Sequence, residues 1–272
     1  MYVTSRLGTK QANRSEAKGN AKDLEPDLST GGDVSEQQYT YMVQLQHFLV
    51  VSYVHHCGGT LLTASLVLTA AHCAQDTMKL RAQAGTVWRN SKTEGQRRDI
   101  VRLLRHKQYV QDGKSGPYDI ALALVEQPFL VDGINLTVIP LLPPYYEHPA
   151  ATDVLGFGKI DHDDTLPDRL RVVKCDLHAQ NECPNQDAFG TFCVGSPGAT
   201  ACEGDSGGPV VGTIDGVDWL VGLVSHGKKV CGTGPFICTD VIWYRPWIEE
   251  ATRNLTFDND SALEKQTVEV FI

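Results

Sequence analysis

An all-β fold closed by one C-terminal helix is what this sequence predicts, and three observations carry the prediction. Segments such as Tyr41–Gln46 and Phe48–Val51 alternate with the period of a strand. From Lys79 to Tyr109 the pattern remains strand and turn, punctuated by Gly85 and Gly95. Near the end the period lengthens, with Tyr244, Trp247 and Ile248 at helical spacing. At 272 residues, 42% of them hydrophobic, the chain holds enough apolar material for one large or two small cores.

A formal charge of −9 argues against nucleic acid or an anionic membrane as partner, since both demand a basic face. No apolar run approaches the length of a bilayer span. The eight cysteines are scattered rather than arranged as Cys-x-x-Cys pairs, so they read as disulfides of an oxidising compartment and not as a zinc site. The residues alone leave their pairing open. Sequons at Asn13, Asn135, Asn254 and Asn259 fit a secreted glycoprotein, although Met1–Asn20 contains no signal-peptide apolar stretch.

The chemistry centres on Cys202-Glu203-Gly204-Asp205-Ser206-Gly207-Gly208-Pro209. A serine flanked by small residues can ride a tight turn that exposes Oγ and frees backbone N–H groups to face a substrate. An alkoxide is not available at pH 7, so Ser206 needs a base and a third group to orient that base. Leu68-Thr69-Ala70-Ala71-His72-Cys73 and Asp119-Ile120-Ala121-Leu122-Ala123-Leu124 offer both. Singly, such a histidine is usually a satisfied core residue and such an aspartate a strand-end residue. Together, in the order His, Asp, Ser, the three blocks resemble the trypsin/chymotrypsin-type serine peptidases over roughly residues 28–254.

That resemblance implies two antiparallel six-stranded Greek-key barrels with a C-terminal helix, the barrels dividing near 128–150. Residues 1–27, polar and nearly free of aromatics, read as a disordered leader or propeptide. The family's mature chain begins Ile-Val-Gly-Gly, and the nearest match is Leu28-Ser29-Thr30-Gly31-Gly32, preceded by Pro26-Asp27 rather than by Arg or Lys. Tryptic activation is therefore not expected there. In the family the freed amino group pairs with the aspartate before the nucleophile, here Asp205; without it a buried charge would lack its partner, at roughly 3–5 kcal/mol. The resemblance pairs Cys57 with Cys73, Cys183 with Cys193 and Cys202 with Cys231. Parity and nearness to the specificity pocket suggest Cys175 with Cys238.

Only Glu94 stands where calcium-binding relatives carry several carboxylates, so no calcium, metal or cofactor is expected. Arg97, Arg98, Arg102, Arg105 and Lys107 read as a solvated face rather than a substrate exosite, and Asp161–Asp164 as a solvated loop. Gly156-Phe157-Gly158 replaces the usual Gly-Trp-Gly and reopens strand structure. The helix is expected over Tyr244–Asn254, followed by an acidic tail over 255–272.

In the implied mechanism His72 takes the Ser206 proton, Asp119 fixes the imidazole, and the N–H groups of Gly204 and Ser206 form the oxyanion hole. Thr200, followed by Ala201, stands at the base of the primary pocket where trypsins carry Asp, so a basic side chain would meet no counter-charge. Ser225 and Gly227 are the wall residues that pair with substrate backbone, with His226 between them where most relatives have Trp. Phe236 occupies a position where glycine keeps the pocket open, which implies a shallow pocket for small side chains. Expected partners are a protein or peptide substrate and protein inhibitors, with the chain a monomer. A non-catalytic binding homologue is the rival class, though it would not need all three triad residues. An α/β-hydrolase requires Ser before Asp before His, which this chain does not have.

Overall fold

A computed structural model describes residues 31–110, 116–161, 163–184, 189–227 and 232–269. The expected leader therefore lies outside the described residues. After a short strand β1 (Gly32–Asp33) come β2 (Met42–Leu49), β3 (Ser52–Leu61), β4 (Leu66–Thr69), β5 (Leu80–Ala84), β6 (Gln96–Arg105) and β7 (Ala121–Val125), which close in the order β2-β3-β4-β7-β6-β5. A second closed barrel uses β8 (Ala151–Gly156), β9 (Arg171–Leu177), β10 (Thr191–Gly195), β11 (Pro209–Ile214), β12 (Val217–His226) and β13 (Phe236–Asp240). All pairings are antiparallel, and β1 adds to the outer edge of β9. Helix α1 (Val241–Glu269) packs against β7 and β12. The two six-stranded barrels and the terminal helix are the expected architecture.

The strands between the barrels are buried on both faces, which is why they read as continuous apolar runs. Along β7, Leu122 and Leu124 enter the core shared by the barrels, whereas Ala123 and Val125 fill the first barrel. Along β12, Leu220 and Leu223 face the shared core while Val221 and Val224 fill the second barrel. Each fully buried leucine of this kind contributes about 1.5–3 kcal/mol.

Three details differ from the sequence reading. Phe48 and Leu49 continue β2, and Val50-Val51 form the hairpin turn, with Val50 at φ +57 and 83% exposed. The helix begins three residues earlier than expected and runs to Glu269, because nothing after Pro246 breaks it: residues 247–272 contain neither Gly nor Pro. Cys175 and Cys238 are buried free thiols, not a disulfide. Strand β10 lies between them, with Cys238 opposite Phe192 and Cys175 one residue beyond the Asp176–Gly195 pair. Two inter-strand spacings of about 4.8 Å, plus that offset, exceed the roughly 7 Å reach of a disulfide.

Cys57–Cys73 and Cys183–Cys193 are formed as expected, with Cα separations of 6.1 and 5.7 Å. Cys202 is disulfide-bonded, and its expected partner Cys231 lies outside the described residues.

Candidate active site

Strand register brings His72 and Asp119 together. Strands β4 and β7 are antiparallel, and Thr69 pairs with Ala121, so the chain leaving β4 passes the chain entering β7. Ala71–Cys73 form a short 3-10 turn there, tied by the Cys57–Cys73 bridge to β3. Asp119, 1% exposed, accepts from the His72 backbone N–H through Oδ1 (3.0 Å) and faces His72 Nδ1 through Oδ2 (2.8 Å). Ser225 Oγ donates to the same Oδ2 at 2.6 Å, and Thr239 Oγ1 donates to the Asp119 main-chain carbonyl at 2.8 Å. Burial alone would raise the Asp119 pKa. Hydrogen bonds and charge from His72, with the Ser225 bond, override it and hold the carboxyl below its ordinary value.

Ser206 stands in the loop between β10 and β11, against the His72 turn. Its carbonyl accepts from Gly58 N–H at 2.8 Å and lies 3.6 Å from Cys73 Sγ. The next residue must be glycine: Gly207 has φ +75, and a Cβ there would lie 2.2 Å from Thr69 Oγ1. The Ser206 hydroxyl makes no hydrogen bond among the described residues, so the expected bond to the imidazole is not formed here.

The backbone around Ser206 is pinned from several sides. Glu203 O accepts from Lys159 N–H at 2.9 Å, and Gly204 O from His55 Nε2 at 2.9 Å. The N–H groups of Asp205, Gly207 and Gly208 find the carbonyls of Cys202, Val224 and Asp205. Those of Gly204 and Ser206 find no acceptor among the described residues. Two donors without acceptors, one on the serine itself and one two residues before it, are left available to a ligand. His55 has no counterpart in the sequence reading. Its burial, which lowers its pKa to about 4, and its tie to Gly204 are set by a bulge in β3 that no local pattern announces.

Asp205 is enclosed by the Gly156-Phe157-Gly158 segment. A Cβ at Gly156 would lie 1.8 Å from Asp205 Oδ1, so the cradle admits only glycine. Its oxygens accept from Gly158 N–H (2.7 Å) and Cys202 N–H (2.8 Å), and no cation among the described residues pairs with it. Burial pushes its pKa up to about 6 against those two bonds. A small cavity beside it is lined by Gly158, Lys159, Arg171, Thr200 and Ala201.

Of the residues expected to bind substrate, Thr200 is 7% exposed and spends its hydroxyl on Ala201 O at 2.7 Å. Ser225 directs its side chain at Asp119, which leaves its backbone for other contacts. Phe236 is 1% exposed, packed with Ala199, Val224 and Cys238, and a Cβ on Gly227 would lie 3.0 Å from its own Cβ. Cys57, His72 and Cys73 cluster closely enough to hold a metal, but the two sulfurs are bonded to each other and offer no thiolate. Asp161 Oδ1 accepts from the N–H groups of Asp163 and Thr165, and Asp164 pairs with Lys159, a hydrogen-bonded turn among exposed acids. His162, in that run, lies outside the described residues.

Residues 29–248 match a family model described as Trypsin. The chain is 30% identical over 248 residues to trypsin iota of Drosophila melanogaster, covering 86% of this chain and 92% of that one. It is 30% identical over 224 residues to granzyme-like protein 2 of Rattus norvegicus, 79% and 86% of the two chains. Coagulation factor IX of Cavia porcellus is 29% identical over 206 residues, 70% and 71%.

Proposed function

From the premise that the chain belongs to the trypsin family, we propose that it is a secreted serine endopeptidase that hydrolyses peptide bonds through an acyl-enzyme. The observation that carries the reading is the pair of unpaired N–H groups at Gly204 and Ser206, on a loop packed against the turn that holds the hydrogen-bonded His72–Asp119 pair. Ser206 Oγ attacks the carbonyl carbon, and its proton passes to His72 Nε2. Asp119 stabilises the imidazolium, and the two N–H groups receive the developing oxyanion. His72 then protonates the leaving amine, and water repeats the sequence on the ester. Each oxyanion donor is worth about 10²–10³ in rate. A bond between Oγ and the imidazole is often long in a substrate-free enzyme and tightens when substrate binds.

The primary pocket takes small, uncharged side chains. Thr200 supplies no counter-charge for a basic one, and Phe236, 1% exposed, packs its Cβ against Gly227. Cleavage beside alanine or glycine should therefore exceed cleavage beside lysine, as measured with matched peptide substrates.

Labelling with a fluorophosphonate probe, before and after limited proteolysis near residue 28, tests the activity, with Ser206→Ala as control. Labelling that depends on Ser206 is expected. Absence of labelling under both conditions would favour a non-catalytic binding homologue, a reading to which the unformed Oγ–imidazole bond lends weight.

A further inference from the structure

Strand β12 ends on a half-buried histidine, His226, directly after the serine that bonds Asp119. The Asp119 carboxylate is ionised, so the 2.6 Å contact from Ser225 Oγ must be occupied by the serine's own proton, since a carboxylate has none to give. Ser225 Oγ also lies 3.1 Å from His226 Nδ1. With its proton committed, the oxygen can only accept there, and Nδ1 must carry a hydrogen. His226 is thereby fixed as the Nδ1-protonated tautomer. One hydrogen-bonded chain runs His226–Ser225–Asp119–His72, anchored from behind by Thr239.

We propose that His226 is a positioning residue of the triad, a second imidazole attached to Asp119 through Ser225. Neutral, it orders the serine and so the aspartate; protonated, it competes with His72 for the aspartate's charge. This rests on the peptidase reading above and names a regulator of that same site. Burial holds the His226 pKa below its ordinary value, and among the described residues the charged groups facing it are Asp119, which favours its protonation, and His72, which opposes it when protonated. During turnover His72 becomes an imidazolium, and a cationic His226 three hydrogen bonds along the chain raises the energy of that state. The first proton transfer is therefore fastest with both rings neutral. On acidification through both titrations kcat/KM falls by more than the roughly tenfold per pH unit that one titrating base gives, up to about a hundredfold.

Two variants and two measurements test this. His226→Phe removes both the hydrogen bond and the titration, whereas His226→Asn keeps an N–H donor that cannot titrate. The acid slope of log kcat/KM should rise above one, towards two, in the parent and stay at about one in both variants. A side chain that merely fills the groove wall would change KM and leave the slope untouched. Nitrogen-15 histidine spectra of the full chain give a readout that needs no turnover: neutral His226 should carry its proton on Nδ1. An Nε2-protonated His226, a parent slope of one, or a slope above one persisting in both variants would overturn the proposal. Failure of Ser206 to label would sink the peptidase reading alone, because the tautomer of His226 would still decide this one.

Discussion

The His72–Asp119 pair is set by the register of two first-barrel strands and a disulfide, and its buried carboxylate has an imidazole partner and two further donors. The Ser206 loop, on the second barrel, encloses the Asp205 carboxylate with two amide N–H groups and no cation among the described residues. One half of the site thus has hydrogen-bond partners for both oxygens of its buried carboxylate. The other carries a desolvated charge whose cost depends on what sits beside it, so regulation has most to act on there.

The largest effect should come from breaking the shared chemistry. Ser206→Ala should lower kcat by about 10⁴–10⁶ and Asp119→Asn by about 10⁴, with circular dichroism unchanged. Equal small losses would mean the two halves do not act together. Phe236→Ala, in the second barrel, should cost about 3–5 kcal/mol in urea unfolding, because a ring that is 1% exposed leaves a cavity. The same variant should shift the kcat/KM ratio for phenylalanine over alanine substrates by at least about tenfold, the worth of roughly two methylenes of new space.

The smallest effect sharpens the contrast most. A carboxyl whose folded pKa stands near 6 rather than 3.8 binds its proton more tightly folded than unfolded. Its burial cost is absent below about pH 4, grows as pH rises towards 6 and is full above that. Asp205→Asn should therefore stabilise the protein at pH 7.5 by about 1–2 kcal/mol and not at pH 4. The gain falls short of about 3 kcal/mol because the new NH₂ faces one of the two amide donors. Urea unfolding at the two pH values measures it. Destabilisation at pH 7.5 would mean that a cation, such as a chain terminus, already occupies the cavity beside Asp205.

Much of this was legible in the sequence because the shared core demands it. Double-sided burial writes itself as unbroken apolar runs such as Ala121–Val125, and the motif blocks at 72, 119 and 206 sit where those strands begin and end. What stayed hidden depends on register or on rules locally broken. Val50-Val51 turn a hairpin without the Gly or Asn that usually signals one, a β-branched residue at φ +57 being a rare choice. The thiols of Cys175 and Cys238 looked like partners by count, yet the intervening β10 separates them. His55 reaches Gly204 across 149 residues of sequence, a contact that exists only once the barrels meet.

Strand β1 belongs to the sheet of the second barrel although it precedes the whole of the first, hydrogen-bonded at Gly32–Val172 and Asp33–Arg171. A stretch encoded ahead of the first barrel is therefore built into the second. A nick in the exposed connector around 130–134 should leave two pieces that co-purify without a covalent link, each clasped by a stretch encoded with the other.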